Sequence, residues 1–459
     1  MNIRFYKLIM LAITAFLPSL LFSQQIAFPG ANGFGKYASG GRGGKVIEVT
    51  NLNDKGEGSL REALKKKGKR TVIFRISGTI FLEKELVVTD GNLTIAGQTA
   101  PSDGITIANH PLVINAENVI VRYIRCRLGD LKRTQDDAFT VTDSRNVIVD
   151  HCSFSWSIDE TASCYKNKDF TMQWCIISES LNKSFHIKGE HGYGGIWGGD
   201  KATFHHNLFA HHSSRNPRFN GARYYANWNE QVDFRNNVIY NWGFNSSYGG
   251  DPSDKDGAKA KINMVNNYYK PGPGTKNNEV HFRILEPFSM KDYGYSVWYV
   301  NGNFMEGNND VTNDNWKLGV QSIKEGTKSR IKSNAPFEFM IDTTQSAQEA
   351  YQTVLANAGC IKPNIDVIDS RIINEVKTGT ATYGGSWGKK SGIIDSQNDV
   401  GGWPTLNSAS PPLDSDHDGM PDDWEIKNKL NINDATDNAK YTLNKDYTNL
   451  EVYLNSLAN

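Results

Sequence analysis

KATFHHN (Lys201–Asn207), QVDFRNN (Gln231–Asn237) and KINMVNN (Lys261–Asn267) follow one another at 30-residue intervals, and each ends on the same amide. Outward from these, the pattern recurs as NVIVRYI (Asn118–Ile124), NVIVDHC (Asn146–Cys152), DFTMQWC (Asp169–Cys175) and VWYVNGN (Val297–Asn303). The apolar residues three before each end are Val121, Val149, Met172, Phe204, Phe234, Met264 and Val300, spaced by 28, 23, 32, 30, 30 and 36 residues. A repeat of this length marks a solenoid or a propeller. An inward Asn at one corner of successive coils can bond its own turn and the Asn of the next coil, so the stack satisfies buried polar groups. A propeller or sandwich would need hairpins, and Asn-Gly turns at fixed offsets are missing from the repeats. The expected fold is all-β, a right-handed parallel β-helix, with Thr71–Ile76, Leu93–Ile95 and Ile105–Ile107 as earlier coils. Cys152 and Cys175 take the Asn position and read as stacked, buried, structural thiols.

The composition fits a folded chain: 38% apolar residues, 42 Gly and a formal charge of zero from 50 basic and 50 acidic side chains. The balance argues against bulk nucleic-acid binding. Five Cys are too few for a disulfide scaffold. At the N-terminus, Arg4 and Lys7 precede the apolar run Leu8–Phe22, which is broken by Pro18. That run falls short of the roughly 20 residues a membrane span needs. It reads as a signal peptide over residues 1–23, cleaved near Ser23, so a secreted or periplasmic monomer with no membrane contact is expected. The remainder divides into a β-helix at 24–345, a helical and loop extension at 346–412 and a terminal module at 413–459. Helices are expected at Ser346–Gly359 and Val367–Val376, and Tyr383–Pro412, rich in Gly, Ser and Pro, reads as loop or linker.

The terminal module carries DSDHDGMPDDWE, Asp414–Glu425. Asp414, Asp416, Asp418, Asp422 and Glu425 occupy positions 1, 3, 5, 9 and 12 of an EF-hand-like loop, with Gly419 at position 6 and the Met420 carbonyl at position 7. Hard oxygen ligands in this order suit calcium. Pro411-Pro412 exclude a leading helix, so an isolated structural loop is expected, braced by a helix near Asn449–Leu457. A second constellation comes from counting eight residues past three ladder positions, which reaches Glu160, Lys183 and Arg215. In register these would form one column at roughly 4.8 Å per coil. Gln135, Asp136 and Asp137 lie on the coil before. Acids beside Lys and Arg suit an anionic substrate held through a bridging cation.

Pro29–Leu64, VIVDHCSFSWSIDE (Val147–Glu160) and HHNLFAHHSSRNPRF (His205–Phe219) resemble family 1 polysaccharide lyases, the pectate lyases. The resemblance runs from about Phe28 to Asn303 and implies calcium-dependent β-elimination of polygalacturonate, an anionic polysaccharide. It implies Arg215, in RNP, as the catalytic base, and Arg218, at a shorter spacing than usual, as a substrate-holding group. It places the carboxylate-gripping Lys on Lys183, with Lys188 as a rival, and the calcium acids on Asp137 and Glu160 with Asp159 and Asp136 beside them. Gln135 and Cys164 stand where the family has further acidic or metal-binding positions. An arginine acts as a base only when deprotonated, which neighbouring cations favour. His151, His205, His206 and His212 read as structural. A polygalacturonase-type hydrolase using Asp136 and Asp137 as paired carboxylates, or a non-catalytic glycan-binding solenoid, is the alternative.

Overall fold

The computed structural model describes residues 24–223 and 225–458; the signal segment read over 1–23 lies outside them. Three parallel sheets of ten, eight and nine strands wind into one β-helix. The seven repeated segments are seven consecutive strands of the ten-stranded sheet, from Glu117–Arg122 to Val297–Asn301. Their register follows the sequence pattern: Val121, Val149, Met172, Phe204, Phe234, Met264 and Val300 pair in turn. All seven side chains are buried in the continuous core.

Each of these seven coils leaves the sheet through a two-residue corner. Its first residue is left-handed: Tyr123, His151, Trp174, His206, Asn236, Asn266 and Gly302, all with φ between 51° and 68°. That conformation costs an ordinary L-residue about 1–2 kcal/mol, so Asn and Gly suit it. In the earlier coils aromatic stacking offsets the cost, with Trp174 and His206 rings 4.2 Å apart. The second corner residue points inward and builds the ladder. Nδ2 of Asn207, Asn237 and Asn267 donates to Oδ1 of the next Asn at 2.8–3.0 Å. Each of those oxygens also accepts a backbone N–H, and each Nδ2 also donates to a carbonyl of the preceding coil. Asn315 extends the ladder one step beyond the repeats, accepting from Asn303 at 3.1 Å. Below Asn207, the buried Cys175 and Cys152 continue the column as free thiols.

After Met305 the chain turns back and retraces the solenoid from its last coil to its first. Phe337 and Gln345 bond Asn263 and Asn236 on the ten-stranded sheet. The helix Ala347–Asn357, opened by a Ser346/Glu349 capping box, buries Ala347, Val354 and Leu355 against Ile176, Leu208 and Val238 of the nine-stranded sheet. The helix Val367–Thr378 is fixed by a buried ion cluster, in which Arg127 contacts Asp366 at 2.8 Å and Asp369 at 2.9 Å. Residues 383–412 have the irregular backbone their composition implies but are not a free linker. Ile393 and Ile394 are buried, and Ile394, Val400 and Trp403 pack with Trp156, Ile158 and Leu181. The terminal helix Asn449–Ser456 ends against the first coils. Among the described residues, no helix is long and apolar enough to cross a membrane.

Candidate active site

The turns that enter the eight-stranded sheet carry the reactive side chains. Asp137 precedes the strand Phe139–Thr142, Asp159 and Glu160 precede Ala162–Tyr165, and Arg215 precedes Arg218–Phe219. Parallel coiling brings these turns together. The Asp137, Asp159 and Glu160 carboxylates each place an oxygen within 4.8 Å of the others. The Glu160 N–H donates to Asp137 Oδ1 at 3.1 Å, and Thr140 Oγ1 donates to its Oδ2 at 3.2 Å. Burial, then the charge of Asp159, pushes the Asp137 carboxyl up to about 7. Asp136 lies outside this group, beside Thr134 and His110. Arg215 sits left-handed at φ 58°, its guanidinium against Glu160 and 4.6 Å from the centre of the Tyr193 ring. A bulky residue in this region is strained and is held there by its surroundings.

The expected column is only partly formed. Glu160 aligns with Tyr193, and Tyr193 with Ser214, one residue before Arg215. Lys183 is not the rung between them. The coil that carries it inserts residues 183–192 before the rung, so counting from the ladder stops a loop too early. The loop is anchored at both ends. Lys183 N–H donates to Asp395 Oδ1 at 2.9 Å, and Asn182 N–H to the Ile394 carbonyl at 2.8 Å, so the returning tail walls this side. At its far end His191 N–H donates to the Asn182 carbonyl at 2.7 Å. Gln135, where the resemblance implies an acid, accepts the Ile187 N–H at 3.0 Å. Lys183 and Lys188 are exposed on the same loop.

That loop supplies a feature absent from the sequence reading. The His186 and His191 rings stack 3.8 Å apart, and their Nε2 atoms lie 3.7 and 2.6 Å from the two oxygens of Asp159. The Lys188 N–H donates to His186 Nδ1, which leaves the proton of a neutral His186 on Nε2, facing Asp159. Burial opposes ionisation of Asp159, but the His191 bond and charge, with Arg215 and His186, outweigh it and hold that carboxyl below its ordinary value. The two imidazoles of HIKGEH, close in one loop, were the available signal. Arg218 lies on the sheet face and donates to Asp251 Oδ2 at 3.0 Å. Cys164 packs in the core and is no ligand. His212 is likewise buried, between Ser180 and the Ile177 carbonyl, and burial lowers it to about 3.

A second acidic group lies in the C-terminal loop. Asp414, Asp416 and Asp418 converge within 4.8 Å, and so do Asp418, Glu425 and Asp437. The last four positions of the loop open the helix Asp422–Asn428. Asp422 turns away, accepting from Ser415 N–H and Oγ at 2.7 Å each. Met420 is buried beside Ile73 and Ala96. Burial, with the mutual repulsion of these acids, raises Asp418 to about 8 and Glu425 to about 7.

No family model matches the chain. A probable pectate lyase C of Aspergillus flavus is 34% identical over 438 residues, which is 95% of this chain and 94% of that protein. The probable pectate lyase C of Aspergillus fumigatus is 35% identical over 436 residues, 94% of each. Among solved structures, the major cedar-pollen allergen Jun a 1 covers 72% of this chain and 92% of its own at a TM-score of 0.52 and 18% identity. That likeness establishes the β-helix fold.

Proposed function

The chain belongs to the pectate lyases, a family of polysaccharide lyases, and from that premise we propose that it is secreted and cleaves de-esterified polygalacturonate by calcium-assisted β-elimination, giving 4,5-unsaturated oligogalacturonides. The observation that carries this reading is the meeting of Arg215 with the Asp137, Asp159 and Glu160 carboxylates in one cluster. Those three acids, with oxygens within 4.8 Å of one another, suit a hard divalent cation. Bound there, calcium would supply positive charge to the uronate carboxylate, which makes the adjacent C5 proton more acidic.

The residues of the chain account for the rest. Lys183 and Lys188, on the exposed loop, and Arg218, on the sheet, bind and orient uronate carboxylates by charge. His186 and His191 hold Asp159 so that its oxygens keep one orientation. Arg215, in its neutral form, takes the C5 proton. The C5–H electron pair becomes the C4–C5 double bond while the C4–O bond breaks, and the departing oxygen is protonated from water. Tyr193, under the guanidinium, limits how far Arg215 can swing. A hydrolase built on Asp136 and Asp137 is the alternative, and its product carries no new double bond. The C-terminal loop, with its buried acids, we read as a separate structural calcium site.

Polygalacturonate assayed by absorbance of the unsaturated product tests the reading. Product absorbance that needs calcium and is lost in Arg215→Ala is expected. New reducing ends without that absorbance would replace the lyase reading with a hydrolase.

A further inference from the structure

We propose that the C-terminal acidic loop is half of a cation clasp that fastens the tail onto the first coils, and that Asp437, outside the loop motif, is one of its ligands. The proposal rests on the loop being a calcium site and adds to it a residue and a role. Asp422, at the ninth loop position, is spent on Ser415, and Asp437 brings a carboxylate to the cluster from a separate turn. Asp418, Glu425 and Asp437 are 2%, 0% and 5% exposed. Even so, Asp418 Oδ2, both Glu425 oxygens and Asp437 Oδ1 are buried without hydrogen-bond partners among the described residues, as are both oxygens of Asp416. Buried carboxylate oxygens left in this state are costly, and a shared divalent cation satisfies them together.

The geometry makes the ion a fastener. Asp437 is held by its own neighbours: its Oδ2 accepts the Asn431 N–H, its carbonyl accepts Asn449 Nδ2, and Asn438 Nδ2 donates to the Asp418 carbonyl. The cluster therefore joins the loop to the turn that leads into the helix Asn449–Ser456. That helix presses Leu450 and Leu454, with Met420 of the loop, onto Ile73 and Ala96 of the solenoid. On the solenoid side Arg75 reaches Glu48 at 3.4 Å, Asp414 at 3.8 Å and the Pro412 carbonyl. At Gly419 a Cβ would meet Leu450 and Val46 at 3.2 Å, so the loop backbone lies directly on these coils. Without a cation, the five converging acids push the loop and the turn apart. With it, they hold an apolar face over the strands Lys45–Val49 and Arg70–Phe74.

The test uses the full chain and terbium as the probe, excited through Trp424 of the loop, with calcium as competitor. The wild type is expected to give sensitised emission that calcium displaces, and Asp437→Asn and Glu425→Gln each to weaken terbium binding by roughly tenfold or more. Loss in Glu425→Gln with wild-type affinity in Asp437→Asn would leave the loop a cation site and overturn the role of Asp437. Absence of any calcium-displaceable emission from the wild type would overturn the loop site itself. Hydrogen exchange of the wild type needs no variant: calcium is expected to slow exchange in residues 413–458 and in the first two strands together. Protection confined to the loop would overturn the clasp.

Discussion

The Arg215 cluster and the C-terminal loop both gather carboxylates, and they balance them in opposite ways. In the cluster, Asp159 is held by two imidazoles and Glu160 lies against Arg215, so the chain supplies its own positive groups. In the loop the carboxylate oxygens converge with no cationic side chain among them from the described residues; Arg75 approaches only Asp414, at 3.8 Å. The first arrangement can exchange ligands, because each acid retains a partner when the ion or substrate leaves. The second depends on an occupant. A site that turns over and a site that stays filled are thus distinguishable by what surrounds the acids, although their acidic residues alone look alike.

The sharpest way to separate them is Arg215→Ala. Loss of a general base costs on the order of 10²–10⁴ in rate. Product absorbance should fall by that factor while the calcium-dependent gain in melting temperature persists. Next is chelation followed by a melt. Calcium at about 100 times its Kd stabilises a native site by roughly 2.7 kcal/mol. Differential scanning calorimetry of the wild type should show that gain, and Glu425→Gln should lose most of it. If Asp137→Asn lost it instead, the two sites would have exchanged roles. Within the Arg215 cluster, Asp137→Asn is expected to raise the calcium concentration for half-maximal rate by about 10–100-fold, with rate recovered at high calcium. The smallest effect is expected from His191→Gln, which keeps a donor toward Asp159. A rise in that half-maximal calcium of up to about tenfold, read from rate against calcium, would match a positioning role. An unchanged curve would mean that Asp159 needs no holding.

Much of the fold was legible because the ladder is periodic and local. The corner needs a left-handed residue and then an inward amide, so His-Asn, Asn-Asn and Gly-Asn mark it in the later coils. From there the strand register could be read residue by residue, and Val121 through Val300 pair as spaced. Asn315 escaped because it follows Asn303 by 12 residues, from a helical turn and not a strand. The register brought Glu160 and Arg215 to one place, and the resemblance, not the register, singled out Asp137. The site was not legible where a coil changed length. Residues 183–192 put Tyr193 on the rung expected for Lys183 and introduced His186 and His191. The tail was harder still. Nothing local in Tyr383–Pro412 announces that Ile393 and Ile394 are buried, or that Asp437 returns to a loop it follows by 12 residues. Those placements come from long-range packing, which period and composition do not encode.

The most direct test of the central claim is the initial rate of double-bond absorbance from polygalacturonate, measured with calcium, after chelation, and after calcium is restored. The account predicts steady growth of absorbance, its loss in chelator and its return with calcium. An undiminished rate in chelator, or chain cleavage with no absorbance, would contradict it.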